Sequence, residues 1–536
     1  MRIFTIVKAV LLAVAALTAF AASPAQAEWR RAETTHFIVY GDVSESTIRS
    51  YAQRLERFDG LLRAYYPIPS ENEIPKLDIF LAEGPRGMNQ AYPGIGGSVA
   101  GFYSSNDGRI YAVVDTQAIS GDVVLFHEYG HHFMFQMRSN AYPSWFVEGF
   151  AEYYATADVR PNRIQFGRHL PGRMNSLSQG ANAWARMEDV LTWRFTASGR
   201  YPASQYYAQA WGMTHYFMST PERTQMLGQY LSAVAAGQGS IEAMQAATGR
   251  TPSQLQDDVR LYLSGAITML TPQVEIAEPE VTVTTLSPAE SALAWLDLRL
   301  DGERVVEEPY DDDGRTQRSE DQKARETRER AEYRAELIRD AFAVSARFPG
   351  DRAALLATAK AYRLTRDPAT ALSTLQPLLS DNSTDADALR LAASALLDQA
   401  GAEADPELAQ AMRRRASGYL ARAMDAAPLD FRIYLGLNQT RHGYATYPNE
   451  NDLSTLEVAV ALAPQSFDAR LRLGAAYMAR DLNAEAVVVL GAVANSPHRS
   501  AYTRRAREMI ATAQTAMGQA PEVYEAAPEE ESEHAG

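Results

Sequence analysis

Residues 127 to 132 read HEYGHH, and residues 143 to 155 read PSWFVEGFAEYYA. On a helix, His127 and His131 are four residues apart and project from one face, so both imidazoles can grip one metal ion. Glu128 stands beside the first of them, where a carboxylate can take a proton from a metal-activated water. The second segment offers Glu148 as a third ligand on another amphipathic helix, completing a His, His, Glu set of the kind that leaves a fourth position for water. The pattern therefore demands two helices brought together around one point. Glu152, one turn after Glu148, could exchange roles with it, one as ligand and the other as its support. Two ordinary half-buried histidines would explain His127 and His131 but not the acidic partners. His132 lies about 100° around the helix from His131, so it faces a neighbour or solvent. No glycine and third histidine follow at metzincin spacing.

The HExxH segment followed by Trp-x-x-Glu-Gly-x-Ala-Glu-Tyr resembles the gluzincin zinc peptidases, in particular the peptidase MA-like proteins. That resemblance spans roughly residues 33–265. It implies an α+β, thermolysin-like domain with a small mixed sheet ahead of the HExxH helix. It also implies Zn²⁺ held by His127, His131 and Glu148, with Glu152 orienting a ligand histidine and Glu128 as the general base. The gap between His131 and Glu148 is shorter than in the related aminopeptidases, so the loop from Ser139 to Ser144 must turn tightly. A similar ligand set could also accept other divalent ions.

The run YYAQAWGMTHYFM, 206–218, resembles the helix that in related peptidases begins with a tyrosine aimed at the metal site. Tyr207 matches that position and would donate to the oxyanion; the alternative is that it is a core aromatic like Tyr206, Trp211 and Tyr216.

Around these helices, Glu33 to Tyr40 alternates as a strand, and Ile48, Tyr51, Leu55, Phe58 and Leu62 recur at helical spacing. Leu77 to Leu81 reads as a second strand, and Gly97 to Asp115 as a hairpin turning at Ser104 to Gly108. One of its arms, Val99 to Tyr103 or Arg109 to Val114, is a candidate edge strand for pairing with extended substrate. The Gly94 to Gly101 cluster lacks the Lys and Ser/Thr of a P-loop. Irregular sequence from Pro161 to Gly180 precedes further helices at 225–236, 241–248 and 252–263.

Residues 1–27 carry Arg2, Lys8, an apolar run and Ala25-Gln26-Ala27, which reads as a signal peptide. The expected destination is the periplasm or the exterior, with no transmembrane anchor. The chain has no cysteine, so packed cores rather than disulfides must stabilise it. A formal charge of −15 argues against a nucleic-acid partner.

The peptidase-like domain is expected over 28–270, and a fragment from Glu28 to about Pro272 to fold and bind metal alone. An extended, charged linker is expected over 271–330 and an acidic disordered tail over 519–536. Between them, 331–518 reads as tetratricopeptide-like helical repeats. Ala354-Leu355 and Ala388-Leu389 are 34 residues apart, Phe431 and Phe467 each follow a proline by three, and Leu473 to Tyr477 matches a first-helix signature. An irregular helical bundle is the alternative. Together these readings predict an exported zinc metallopeptidase acting on a protein or peptide, with a possible protein partner on the repeats. The competing reading is an envelope adaptor or assembly protein that works through its repeats and keeps the metal domain as a binding module.

Overall fold

The computed structural model describes residues 28–519 apart from 68–73, 98, 119–120, 138–140, 170, 181–182, 194–200, 268, 304–318 and 498–499. The expected signal peptide and nearly all of the expected tail therefore lie outside the described residues. The protein is mixed α+β in its first half and helical in its second. Among the described residues no helix is long and apolar enough to cross a membrane.

Among the described residues eight strands occur: β1 (Arg30–Glu33), β2 (Phe37–Gly41), β3 (Leu77–Ala82), β4 (Gly101–Ser105), β5 (Ile110–Asp115), β6 (Asp158–Arg160), β7 (Arg163–Gln165) and β8 (Thr282–Thr285). Six form one mixed sheet in the order β4-β5-β3-β2-β1-β8. The β2-β3 and β3-β5 pairs are parallel, and the others are antiparallel. The single strand expected from Glu33 to Tyr40 is in fact a hairpin. Its turn is fixed by Thr34, whose N–H donates to the Phe37 carbonyl and whose hydroxyl accepts from the Phe37 N–H. Alternation continues on both sides of so short a turn, which is why the sequence reads as one strand.

Among the described residues the first-half helices are α1 (Glu45–Tyr65), α2 (Gly84–Ala91), α3 (Gly121–Met137), α4 (Ser144–Ala155), α5 (Pro171–Ser178), α6 (Met187–Leu191), α7 (Ala203–Phe217), α8 (Pro221–Ala235), α9 (Ser240–Thr248) and α10 (Pro252–Leu263). Ser44 caps α1 by accepting from the Thr47 N–H, which satisfies one of the free donors of the first turn. The five apolar residues predicted for its inner face are all buried. Alternation on the strands sorts the sheet's two faces. Leu77, Ile79, Leu81, Ala112 and Val114 join α1, α3 and α4 in the main core, while Phe80, Ala82, Tyr111 and Val113 pack on the other side with Trp29, Met88 and Leu298.

Residues 271–330 depart from the expected extended linker. Thr282–Thr285 forms β8 and completes the sheet beside β1, and Pro288–Gly302 forms a helix, α11. Trp295 of α11 stands edge-on to Trp29, 4.9 Å between ring centres. The Thr- and Val-rich composition suited a strand as well as a linker, and the capping box Ser287 to Glu290 marks the helix start.

Helices α12 (Glu320–Ser345), α13 (Arg352–Leu364), α14 (Pro368–Leu375), α15 (Ala386–Ala402), α16 (Pro406–Ala426), α17 (Phe431–Arg441), α18 (Glu450–Leu462), α19 (Phe467–Met478), α20 (Asn483–Ala494) and α21 (Ala501–Ala516) follow. Each packs on the next, and α13, α15 and α17 also pack on one another in series, as stacked helical hairpins do. Phe431 and Phe467 each open a helix. Gly474 lets α19 approach α20: a Cβ there would come within 2.8 Å of Leu490.

The stack is docked against the first half. Arg432 donates to the Gly108 carbonyl at 3.0 Å, and Ile110 of β5 packs into the core of α17 to α21. A cavity of about 600 Å³ remains between sheet and stack, lined by charged groups including Arg109, Asp301, Lys360, Arg390, Asp430 and Arg432.

Candidate metal centre

Two close helix approaches build the site. Every residue of α4 from Trp145 to Ala155 is buried, so this helix runs through the core with no solvent face. At Gly149, next to Glu148, a Cβ would lie 2.3 Å from Thr214 Oγ1 and 2.6 Å from the Ala210 carbonyl of α7. At Gly130, next to His131, it would lie 3.2 Å from Ala151 Cα. Small residues beside the candidate ligands thus let α3, α4 and α7 come close enough for side chains from separate helices to converge.

His127, His131 and Glu148 do converge. The two imidazole Nε2 atoms are 3.1 Å apart, and Glu148 Oε2 lies 3.4 Å from His127 Nε2 and 3.5 Å from His131 Nε2. Glu148 is wholly buried, whereas the two histidine side chains keep 18% and 13% exposure, which leaves the cluster open on one side. A tetrahedral ion at zinc-to-ligand distances of roughly 2.0–2.2 Å would hold its ligand atoms about 3.3–3.6 Å apart. The three observed separations are close to that, so the residues present fit a tetrahedral cation with one position left over. Burial opposes charge on His127, but Glu148, with Glu128 and Glu152 behind it, overrides burial and pushes that imidazole up to about 9. A bound cation would take the place of this proton.

Glu152 stands behind the trio. Its Oε1 is 3.6 Å from His127 Nδ1, on the far side of the ring from Glu148, and Arg173 of α5 clamps it with two hydrogen bonds of 2.7 and 2.9 Å. Glu148, not Glu152, is therefore the carboxylate placed with both Nε2 atoms. Arg173 was not legible in the sequence, because it comes from the irregular stretch after α4, where no periodicity points to a helix. It also lies 5.3 Å above the ring of Tyr207, which stands edge-on to Trp193 at 5.8 Å. Burial first, then the Glu148 and Glu152 charges, hold the Tyr207 phenol well above its ordinary value, so it stays protonated as a donor. Tyr206, its neighbour, is fully buried in the core. Glu128 is half-buried, and its charge acts on His127, Tyr103 and Tyr207.

His132 faces a neighbour, as its angle on the helix implies. It is buried, with its Nδ1 3.1 Å from the Tyr103 hydroxyl of β4, and burial followed by the Arg63 charge pushes it down to about 3. Of the two candidate edge strands, β4 is the outer one, and β5 lies inside the sheet. A second cluster, His36, Glu56 and Asp59, also gathers ligand-type atoms. Arg63 and the Tyr129 hydroxyl already engage Asp59 there, so that carboxylate is neutralised by the protein itself.

A family model described as a protein of unknown function, DUF1570, matches residues 124–237, the stretch that carries all the residues of the centre. No curated protein matches the chain. The solved structure described as "Crystal structure of MamA" is 20% identical to it, covering 34% of this chain and 92% of that one with a TM-score of 0.24, a likeness too slight to bear on fold or function.

Proposed function

We propose that the protein is an exported zinc metallopeptidase of gluzincin type, with a thermolysin-like catalytic domain and tetratricopeptide-like repeats. The observation that carries this reading is the convergence of His127, His131 and Glu148 at tetrahedral ligand spacing, with Glu128 adjacent. When bound, zinc would supply the Lewis acidity that lowers the pKa of water and polarises a scissile carbonyl. Glu128 accepts the proton of the attacking water and delivers it to the leaving amine. Glu152, clamped by Arg173, steadies the His127 ring from behind. The outer edge of β4 takes an extended peptide by strand addition, with main-chain hydrogen bonds fixing its register.

Chelation tests this reading. Hydrolysis of unstructured protein or peptide should stop when zinc is stripped and return when it is restored. Absence of hydrolysis by zinc-loaded protein against broad peptide libraries would favour the adaptor, in which the repeats carry the function.

Tyr207 donates to the oxyanion formed in the tetrahedral step. Removing one such donor typically costs about 10²–10³ in kcat. Tyr207→Phe keeps the ring against Trp193 and Arg173, so zinc content should be retained while kcat falls and KM changes little. Tyr206→Phe is the packing control. Full activity in Tyr207→Phe would return Tyr207 to the core aromatics.

A further inference from the structure

The helical stack reaches the elements that build the metal centre at three points. Gln465 lies in the turn between α18 and α19 and is 3% exposed. Its amide nitrogen is 3.2 Å from the His132 carbonyl, 2.8 Å from Gln136 Oε1 and 3.3 Å from His132 Nδ1, all on α3. The carbonyl can only accept, so the amide nitrogen must face α3, where its two N–H groups have acceptors to satisfy. The turn itself is rigid. Ser466 caps α19, and the buried Arg470 donates to the Pro464 carbonyl at 2.6 Å and to the Val489 carbonyl at 3.0 Å.

The second point is Ser144, the first residue of α4, whose hydroxyl donates to the Asn495 carbonyl at 2.7 Å. One turn later on the same helix is Glu148. The third is Trp193, whose indole N–H donates to the Pro497 carbonyl at 3.2 Å while its ring meets Tyr207. Trp193 has a φ of 52°, a left-handed conformation that costs a bulky residue energy and needs surrounding structure to hold it. The helical stack thus touches the helix of His127 and His131, the helix of Glu148, and the residue beside Tyr207.

Resting on the metal-centre reading above, we propose that the helical stack is a structural part of that centre, with Gln465 as a positioning residue that fixes α3 against it. Metal affinity and seating of the stack are then coupled. Because such coupling is reciprocal, a protein partner that draws the stack away lowers metal affinity, and metal binding tightens the seating by the same factor. The repeats regulate the site through contacts already in place, without needing to touch substrate.

The test uses the full chain, with Gln465→Met to remove the donors while keeping side-chain volume. Ile433→Val, in a core cluster of the stack that contains none of the centre's residues, serves as a stability control. Zinc affinity is read by competition with a chelator, and hydrogen exchange of residues 467–478 is measured with and without zinc. Gln465→Met should bind zinc about 10-fold more weakly, at the low end of what outer partners of a metal site contribute. Ile433→Val should match the wild type. Zinc should slow exchange over 467–478 in the wild type and have little effect in Gln465→Met. If Gln465→Met proves insoluble, Ser144→Ala removes the second contact and should weaken zinc binding in the same direction. Unchanged zinc affinity in the soluble variant, or wild-type exchange indifferent to zinc, overturns the coupling. A wild-type chain that takes up no zinc overturns the metal-centre reading itself, and this inference with it.

Discussion

A fragment ending at Pro272 should yield no soluble, metal-binding protein. The cut removes β8, leaving β1 as an unpaired sheet edge. It also removes Ile276, whose side chain fills the space over Gly60 so closely that a Cβ there would lie 2.8 Å away, and Val281, whose carbonyl accepts from Arg49 at 2.7 Å. Loss of α11 then uncovers Trp29, Phe80 and Leu298's other neighbours on the sheet's outer face. Each edge-to-face aromatic contact of the Trp29–Trp295 kind is worth about 0.5–1.5 kcal/mol beyond area burial. Losses of this size, added to an exposed edge and an apolar face, are large beside a typical domain stability of about 5–15 kcal/mol. Extending the fragment through Glu303 restores the strand and the aromatic contacts and should raise the soluble yield. Soluble, zinc-loaded protein from the shorter fragment would show that β8 and α11 are dispensable.

The second large effect is expected at Glu148. Glu148→Gln replaces a buried anionic donor facing both Nε2 atoms with a neutral amide, so zinc affinity should fall by more than the 10–100-fold that loss of an outer partner costs. Glu152→Gln should stay within that smaller range, because Glu152 faces His127 Nδ1 and Arg173. Equal zinc occupancy in wild type and Glu148→Gln would mean that the third ligand lies elsewhere.

Residues whose chemistry is local were legible in the sequence. His127 and His131 could be read because helical spacing puts them on one face, Glu128 from its place beside them, and Glu148 through the resemblance of its segment to the gluzincins. The apolar face of α1 and the hairpin of β4 and β5 were legible for the same reason. Arg173 and Gln465 were not, since each meets the centre only through tertiary packing: Arg173 across α4 from an irregular segment, Gln465 from more than three hundred residues away in sequence. The reading of 271–330 missed β8 because a four-residue strand is defined by the edge it joins, and that edge, β1, lies at the other end of the domain. For Tyr207, sequence left two roles open; both it and Tyr206 stand edge-on to Trp193, and what distinguishes it is the Arg173 guanidinium over its ring, whereas Tyr206 is fully buried in the core.

Peptide hydrolysis by wild type and Glu128→Gln, with zinc measured in both, tests the central claim most directly. Positioned acid–base groups contribute typically 10²–10⁴-fold. Glu128 shares α3 with both histidines but is no part of the trio at ligand spacing. Its amide variant should therefore keep about one zinc per chain, as for a single tetrahedral site, while losing hydrolysis by a factor in that range. Hydrolysis undiminished in Glu128→Gln with zinc in place would contradict the account.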